Sequence, residues 1–154
     1  AARAGSARGI SDGARKVRAD EQAAELDRVE GYEGFGARVQ KVREDLTAFL
    51  AEAKRDGKRI VAYGAAAKGN TLLNTCRVNA DNIDYAVDKS PAKQGTLLPG
   101  SHIPVLDPAV LATDRPDYML ILPWNLTDEI VAQNPGLAEA GGRFVVAIPE
   151  LRIF

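Results

Sequence analysis

From Lys58 onward the sequence alternates short apolar runs with stretches of helical character, and this alternation constrains the fold more than any other feature. The clearest runs are RIVAY at 59–63, DYAV at 84–87, YMLIL at 118–122 and RFVVAI at 143–148. A short extended piece is also expected at 103–105, between the second and third of these runs. Near-continuous apolar strands separated by helices are typical of a parallel sheet covered on both faces. We therefore predict a Rossmann-like open parallel sheet of about five strands, in the order 3-2-1-4-5, with helices on both faces.

An N-terminal helix is predicted before this sheet. Seven apolar residues recur there at three- and four-residue steps: Phe35, Val39, Val42, Leu46, Phe49, Leu50 and Ala53. Such a stripe predicts a helix over 35–56 that packs on the α/β core at 57–154, and Gly57 lies where a C-terminal cap is expected. Further helices are predicted at 71–78, at 108–112 behind an Asp107 cap, and at 127–133.

The first 31 residues are predicted to be a flexible basic segment or linker, separate from a domain at 32–154. Residues 1–19 contain almost no large apolar side chains, so they cannot bury enough surface to offset the entropy of ordering. A weakly amphipathic helix is expected at 20–29. The basic residues form either an interaction arm or, more commonly for such segments, part of a linker; they are Arg3, Arg8, Arg15, Lys16 and Arg18.

Composition narrows the classes of function. A hydrophobic fraction of 45%, 27% charged residues and a net charge of −1 fit a globular domain and give no reason to expect nucleic acid or a membrane as partner. No apolar run approaches the roughly 20 residues that span a bilayer, so we expect a cytoplasmic protein. Cys76 is the only cysteine and His102 the only histidine. With no metal-ligand cluster, triad or carboxylate pair, no catalytic residue or metal site is predicted on this chain.

The loop after the first predicted strand is the main candidate for ligand binding. Residues 64–70 (GAAAKGN) occupy the position where the strand order reverses, and ligands of open parallel sheets bind at that edge. Small residues allow close approach, the next helix offers unpaired N–H groups, and Lys68 adds a positive charge. The loop matches neither GxGxxG nor GxxxxGK[ST]. It is therefore either an anion site or a tight turn whose small residues serve helix–sheet packing.

Two further segments are expected at the same edge. Asp88 ends the second strand, where an acidic residue accepts hydrogen bonds from ribose hydroxyls or simply caps a turn. In the long, structureless loop that follows, at 89–102, Lys89 and Lys93 either face a phosphate or are solvated. After the fourth strand, Trp124 is placed to stack on a base or sugar and Asn125 to bond a polar ligand, unless both merely cap the next helix.

Three stretches carry a resemblance to a known family: GKRIVAYGAAAKGNTLLN, VDKSPAKQGTLLPGSHIPV and DYMLILPWN. They resemble the C-terminal domain of the nucleotide-sugar C-methyltransferases, and the likeness covers about residues 32–154. That family uses S-adenosylmethionine to methylate a carbon of nucleotide-linked deoxyhexoses. Its members place a zinc-binding domain and a methyltransferase domain before this Rossmann-like domain.

The resemblance implies a binding role for this chain, without a cofactor of its own. S-adenosylmethionine and the catalytic base are expected on the methyltransferase domain, which belongs to the same or a partner chain. Implied substrate contacts, for a thymidine diphosphate (dTDP) sugar, are Gly64, Ala65, Lys68, Gly69, Asn70 and Asn74 in the first loop, Asp88, Lys89, Lys93 and Gln94 in the second, and Trp124 and Asn125 in the third. An NAD-binding oxidoreductase fragment and a structural docking module without ligand remain as alternatives.

Overall fold

The computed structural model describes residues 9–154. The described residues divide into two compact units, 9–39 and 40–154. Two members of the proposed basic arm, Arg3 and Arg8, lie outside the described residues. The predicted boundary between residues 31 and 32 stays a prediction, and so does the flexibility of the segment before it.

The first unit contains a helix that the sequence analysis placed incorrectly. Helix α1 spans Asp12–Ala23, whereas a helix was expected at 20–29. The Ser11 hydroxyl accepts a hydrogen bond from the Ala14 N–H (3.3 Å) and caps the helix, and Lys16 pairs with Asp20 one turn later (2.8 Å). Capping and i,i+4 pairs support a polar helix that lacks an apolar face. No residue of α1 is buried. A short 3-10 helix follows at Glu30–Tyr32.

Helix α2 spans Phe35–Arg55 and confirms the predicted packing helix. Leu46 and Leu50 are fully buried, whereas Phe35 and Val39 remain 58% and 39% exposed. The apolar stripe is therefore buried only in its C-terminal part. Gly57, with φ of +70°, ends the helix as predicted: its N–H donates to the Lys54 carbonyl (3.0 Å), and the next N–H donates to the Ala53 carbonyl (2.8 Å). This is the glycine-dependent Schellman arrangement.

The sheet contains six strands: β1 Ile60–Tyr63, β2 Ala86–Val87, β3 Val105–Leu106, β4 Tyr118–Ile121, β5 Arg143–Val146 and β6 Arg152–Ile153. Their order is β3-β2-β1-β4-β5-β6, and the first five strands run parallel. This confirms the predicted order 3-2-1-4-5. The sixth strand was not predicted; it runs antiparallel to β5 and pairs Arg152 with Val146. It lacks the buried apolar run that marked the equally short β2, because Arg152 is exposed and Ile153 is only partly buried.

Helices α3 Ala67–Thr75, α4 Thr127–Gln133 and α5 Pro135–Glu139 complete the second unit, with 3-10 helices at Pro108–Ala112 and Trp124–Leu126. The α4 bounds are those predicted. The helix expected at 71–78 spans Ala67–Thr75 and therefore begins inside the loop predicted at 64–70, with the extended Ala66 as its N-cap. The helix at 108–112 has the 3-10 form, with Asp107 as its cap as predicted (2.8 Å to the Ala109 N–H), and α5 was missed.

Alternating side chains of the strands supply two cores, one on each face of the sheet. In β1, Ile60 and Ala62 pack with α2 residues such as Leu46, whereas Val61 and Tyr63 pack with α4 and α5 residues such as Ile130. All four β1 side chains are buried, as expected for a strand covered on both faces. Helices on both faces of the sheet are confirmed.

Charged side chains neutralise one another at the amino edge of the sheet. Arg59 binds both carboxylate oxygens of Asp114, with Nη2 2.8 Å from Oδ2, and the Tyr85 hydroxyl donates to the same oxygen (2.7 Å). Nearby, Lys58 pairs with Asp117 (2.9 Å). The hydrogen bonds from Arg59 lower the pKa of Asp114, although partial burial opposes the shift. Burial, together with the bond to Asp114, raises the pKa of Tyr85.

We expect Asp114→Asn to weaken the fold and to flatten its dependence on pH. Because the folded pKa of Asp114 is depressed, its contribution is present above the unfolded pKa of about 4 and is lost as pH falls through the folded value. At pH 7 the free energy of unfolding should fall by about 1–2 kcal/mol, since the Arg59–Asp114 pair is only partly buried. Urea unfolding between pH 3 and 7 measures it, with the exposed Asp56→Asn as control. A variant with the wild-type pH slope would contradict this account.

Candidate ligand-binding site

The three predicted loop segments meet at one edge of the sheet. Strands β1, β2 and β4 are parallel neighbours, so their carboxyl ends lie side by side. Gly64 follows β1, Asp88 follows β2 and Trp124 follows β4 after two further residues. The strand order reverses between β1 and β4, which is where open parallel sheets bind ligands. The sequence-predicted residues therefore share the expected edge.

Two glycines of the predicted loop, Gly64 and Gly69, make room for the protein's own chain, although Gly69 lies within helix α3. Gly64 has φ of +93°, and a Cβ there would lie 2.7 Å from the Pro123 Cδ. A Cβ on Gly69 would lie 2.6 Å from the Leu122 Cβ. The Gly64 N–H also donates to the Val87 carbonyl (2.7 Å). Close packing of the first loop against the segment after β4 thus explains both glycines, as the tight-turn interpretation expected. Their contact with substrate stays a prediction.

Asp88 joins the first loop to the second. Its Oδ2 accepts from the Ala65 N–H (2.7 Å) and from Lys93 Nζ (3.0 Å), and its Oδ1 accepts from the Ser90 N–H (2.8 Å). The side chain is only 13% exposed. Burial by itself raises the pKa of Asp88, but the hydrogen bonds from Ser90, Ala65 and Lys93 bring this pKa below its usual value. The carboxylate is therefore charged at neutral pH and already serves three protein donors.

The second loop is more ordered than the sequence indicated. Gln94 Nε2 donates to the Asp88 carbonyl (3.0 Å), and Leu97 and Pro104 form an antiparallel bridge. The loop expected to be structureless is thus held at both ends. Lys89 Nζ lies 2.5 Å from the Gln133 Oε1 on α4. Lys89 therefore contacts a neutral protein acceptor and Lys93 contacts Asp88, and whether either also contacts a phosphate stays a prediction.

Lys68, Trp124 and Asn125 form one cluster, which we call the Lys68 cluster. The Lys68 ammonium hydrogen-bonds to the Asn125 Oδ1 and lies 4.5 Å from the centre of the Trp124 ring. That distance is within the range of cation–π attraction. Helix α3 begins at Ala67, and no side chain caps its first N–H groups. An exposed cation and an uncapped helix start thus occupy the same place, as the anion interpretation expected.

Asn70 and Asn74 lie farther along the same helix, α3. The Asn74 Nδ2 donates to the Asn70 carbonyl (2.8 Å) and to the Pro99 carbonyl (3.0 Å), which ties α3 to the second loop. Gly100, in the second loop, has φ of +80°, a backbone conformation that favours glycine. The Asn70 Oδ1 is buried without a partner among the described residues, and so is the Ser101 hydroxyl. The Asn74 side chain thus braces the edge, whereas within residues 9–154 the Asn70 side chain makes no hydrogen bond that would do so.

Two residues at this edge were missed by sequence reasoning. Arg152 and Asp128 line two adjoining grooves of about 410 Å³ each, one of which also contacts Trp124 and Asn125. Asp128 lies in the predicted α4, but nothing in its spacing marked it as part of a site. Arg152 carried no signal because β6 was not predicted. Another cavity, of about 240 Å³ and lined by residues such as Pro108 and Leu137, contains none of the predicted site residues.

The remaining reactive side chains belong to the scaffold. Cys76 ends helix α3 as its C-cap and is buried in the core, and burial raises the pKa of its thiol, in keeping with the inert role expected. His102 has φ of +55° and lies in the loop before β3. Within residues 9–154 no group of three or more His, Cys, Asp or Glu side chains is placed to hold a metal ion. No helix in this part of the chain is long and apolar enough to cross a bilayer.

The fold is a Rossmann-like α/β domain, with basic and aromatic side chains at the carboxyl edge of its sheet. The chain matches the model of the C-methyltransferase C-terminal domain over residues 1–149, and it belongs to that family. It is also similar to the C-methyltransferase NovU of Streptomyces niveus, with 36% identity over 135 residues. That alignment covers 88% of this chain but 32% of NovU, so the chain spans about a third of the relative's length. The family resemblance drawn from the three sequence stretches is confirmed.

We expect Asp88→Asn to loosen the first loop. The substitution keeps the side-chain size but replaces one acceptor oxygen with an amide group that faces a donor. The free energy of unfolding should fall by about 1–3 kcal/mol, and hydrogen exchange at the Ala65 amide should become faster. Asp107→Asn is the matched control, because its side chain caps a helix with one accepted bond and asparagine caps equally well. Unchanged exchange at Ala65 in the Asp88 variant would refute the proposed link.

Proposed function

We propose that this chain is the substrate-binding domain of a C-methyltransferase that uses S-adenosylmethionine to methylate a nucleotide-linked deoxysugar. In this proposal the carboxyl edge holds a dTDP-sugar, and the methyltransferase domain of the same or a partner chain supplies the reaction. The membership of the family supports the methyltransferase context. The nucleotide-sugar comes from the resemblance and from the chemistry of the edge, and the cytoplasmic location remains part of the proposal.

The Lys68 cluster carries this proposal. Among residues 9–154, no carboxylate lies within ion-pair distance of the Lys68 ammonium; its partners are a neutral amide and an indole ring. A diphosphate brought to this place would gain a full positive charge together with the uncapped N–H groups of α3. Trp124 would offer its ring to the sugar or base. The arrangement suits an anionic ligand with a flat or ring-shaped part.

Asp88 weighs against a nucleoside cofactor on this chain. In dinucleotide-binding sheets the acidic residue after the second strand accepts bonds from ribose hydroxyls. Here that carboxylate already accepts from Ala65, Ser90 and Lys93 and is largely buried. The residues present therefore do not fit the ribose of NAD or of S-adenosylmethionine. We accordingly place S-adenosylmethionine, which supplies the methyl group, on the methyltransferase domain and derive no catalytic step through this edge.

A structural docking module without ligand is the second candidate. Its support is the use of Gly64 and Gly69 for packing against Pro123 and Leu122, which requires no ligand. This candidate gives no account of an exposed lysine left without a carboxylate partner. Binding measurements separate the two, because a docking module would not respond to a nucleotide-sugar.

Lys68→Gln should weaken the binding of dTDP-glucose about tenfold, since it removes one charge-assisted hydrogen bond from the anion. The measurement is a titration of the ¹⁵N-labelled chain followed by NMR, in which residues 64–70 should shift at millimolar ligand. Lys41→Gln, on the exposed face of α2, is the matched control and should bind as wild type does. Unshifted residues 64–70 in the wild type would refute the proposal. A parallel titration with S-adenosylmethionine, which carries no phosphate, should leave the same residues unshifted.

A further inference from the structure

The unpredicted strand β6 places a second cation at the ligand edge. Arg152 pairs with Val146, the last residue of β5, so it stands at the carboxyl end of the sheet. Its side chain lines both adjoining grooves, and Asp128 at the start of α4 lines them as well. Trp124 and Asn125, which hold the Lys68 ammonium, line one of the two. The grooves therefore continue the Lys68 cluster toward β6.

The two charged side chains share these grooves without neutralising each other. In the described part of the chain, neither the Arg152 guanidinium nor the Asp128 carboxylate makes a hydrogen bond or an ion pair, and they are not within 4.0 Å of each other. The other carboxylate that lines the grooves, Glu129, accepts a bond from the Gln133 Nε2 (2.8 Å) and is thus drawn along its own helix. The Arg152 guanidinium, a donor, and the Asp128 carboxylate, an acceptor, therefore line the same two grooves.

We propose that Arg152 and Asp128 form a glycosyl-phosphate subsite, an inference that rests on the proposed function. Phosphate oxygens only accept hydrogen bonds, so they suit the fork of guanidinium N–H groups and not the carboxylate. Sugar hydroxyls can donate, so they suit Asp128. A diphosphate between Lys68 and Arg152 brings the attached sugar to Asp128. Side chains of another protein domain are a different occupant of these grooves, but they would not explain the continuity with the Lys68 cluster.

A ligand series tests this subsite on the 154-residue chain. The probes are thymidine, dTDP and dTDP-glucose, with affinities taken from NMR titrations. Arg152→Gln should weaken dTDP and dTDP-glucose about tenfold and leave thymidine unchanged, and Arg152→Lys should fall between, because it keeps the charge and loses the fork. Asp128→Asn should strengthen dTDP by removing a repulsive charge, and should reduce the advantage of dTDP-glucose over dTDP about fivefold. Arg143→Gln is the matched control, because Arg143 is exposed at the amino end of β5. This variant should bind all three probes as the wild type does.

The outcomes separate the subsite from the proposed function. If the wild type binds dTDP-glucose through Lys68 while the Arg152 and Asp128 variants match Arg143→Gln, the subsite is refuted and the proposed function stands. If no nucleotide-sugar shifts residues 64–70, the proposed function fails. In that case a titration with inorganic pyrophosphate tests whether Arg152 binds phosphate. An NMR shift of the Arg152 Nε–H that is absent in Arg152→Gln supports phosphate binding by Arg152, and the absence of a shift in the wild type overturns it.

Discussion

The arrangement of the loops at the carboxyl edge of the sheet depends on the carboxylate of Asp88. It is largely buried, and it accepts hydrogen bonds from Ala65 in the first loop and from Ser90 and Lys93 in the second. A buried charge of this kind must be fully bonded, so both loops are held in one arrangement. The fixed first loop then packs Gly64 against Pro123, which brings the segment after β4 alongside. The position of Lys68 beside Trp124 follows from that contact.

The distribution of charge distinguishes the two edges of the sheet. At the amino edge Arg59 pairs with Asp114 and Lys58 with Asp117, and at the carboxyl edge Lys93 pairs with Asp88. Within the region the structure describes, Lys68 and Arg152 at the carboxyl edge have no carboxylate partner. A net charge of −1 conceals this difference, because it averages over both edges. Cations without partners at the edge where parallel sheets bind ligands are the physical basis for expecting an anionic ligand there.

The sequence was sufficient for features that arise from apolar patterning. The order of β1 to β5, α2 and α4 follow from continuous apolar strands and periodic stripes, whose burial leaves few arrangements. Features that depend on single polar contacts could not be predicted from the sequence. The Ser11 cap moved α1 toward the N-terminus, and the bonds accepted by Asp88 could not be read from its position after a strand. Arg152 was missed because β6 combines an exposed charged residue with a partly buried one and so has no continuous apolar run.

A crystal structure of this chain with dTDP-glucose tests the central claim most directly, namely that the carboxyl edge holds the diphosphate of a nucleotide-sugar. The account predicts phosphate oxygens within hydrogen-bond distance of the Lys68 Nζ and of the first N–H groups of α3, with the Asp88 bonds to Ala65 and Ser90 preserved. A diphosphate bound elsewhere, such as in the cavity beside Pro108 and Leu137, or a ribose bonded to Asp88 in place of Ala65, would contradict it.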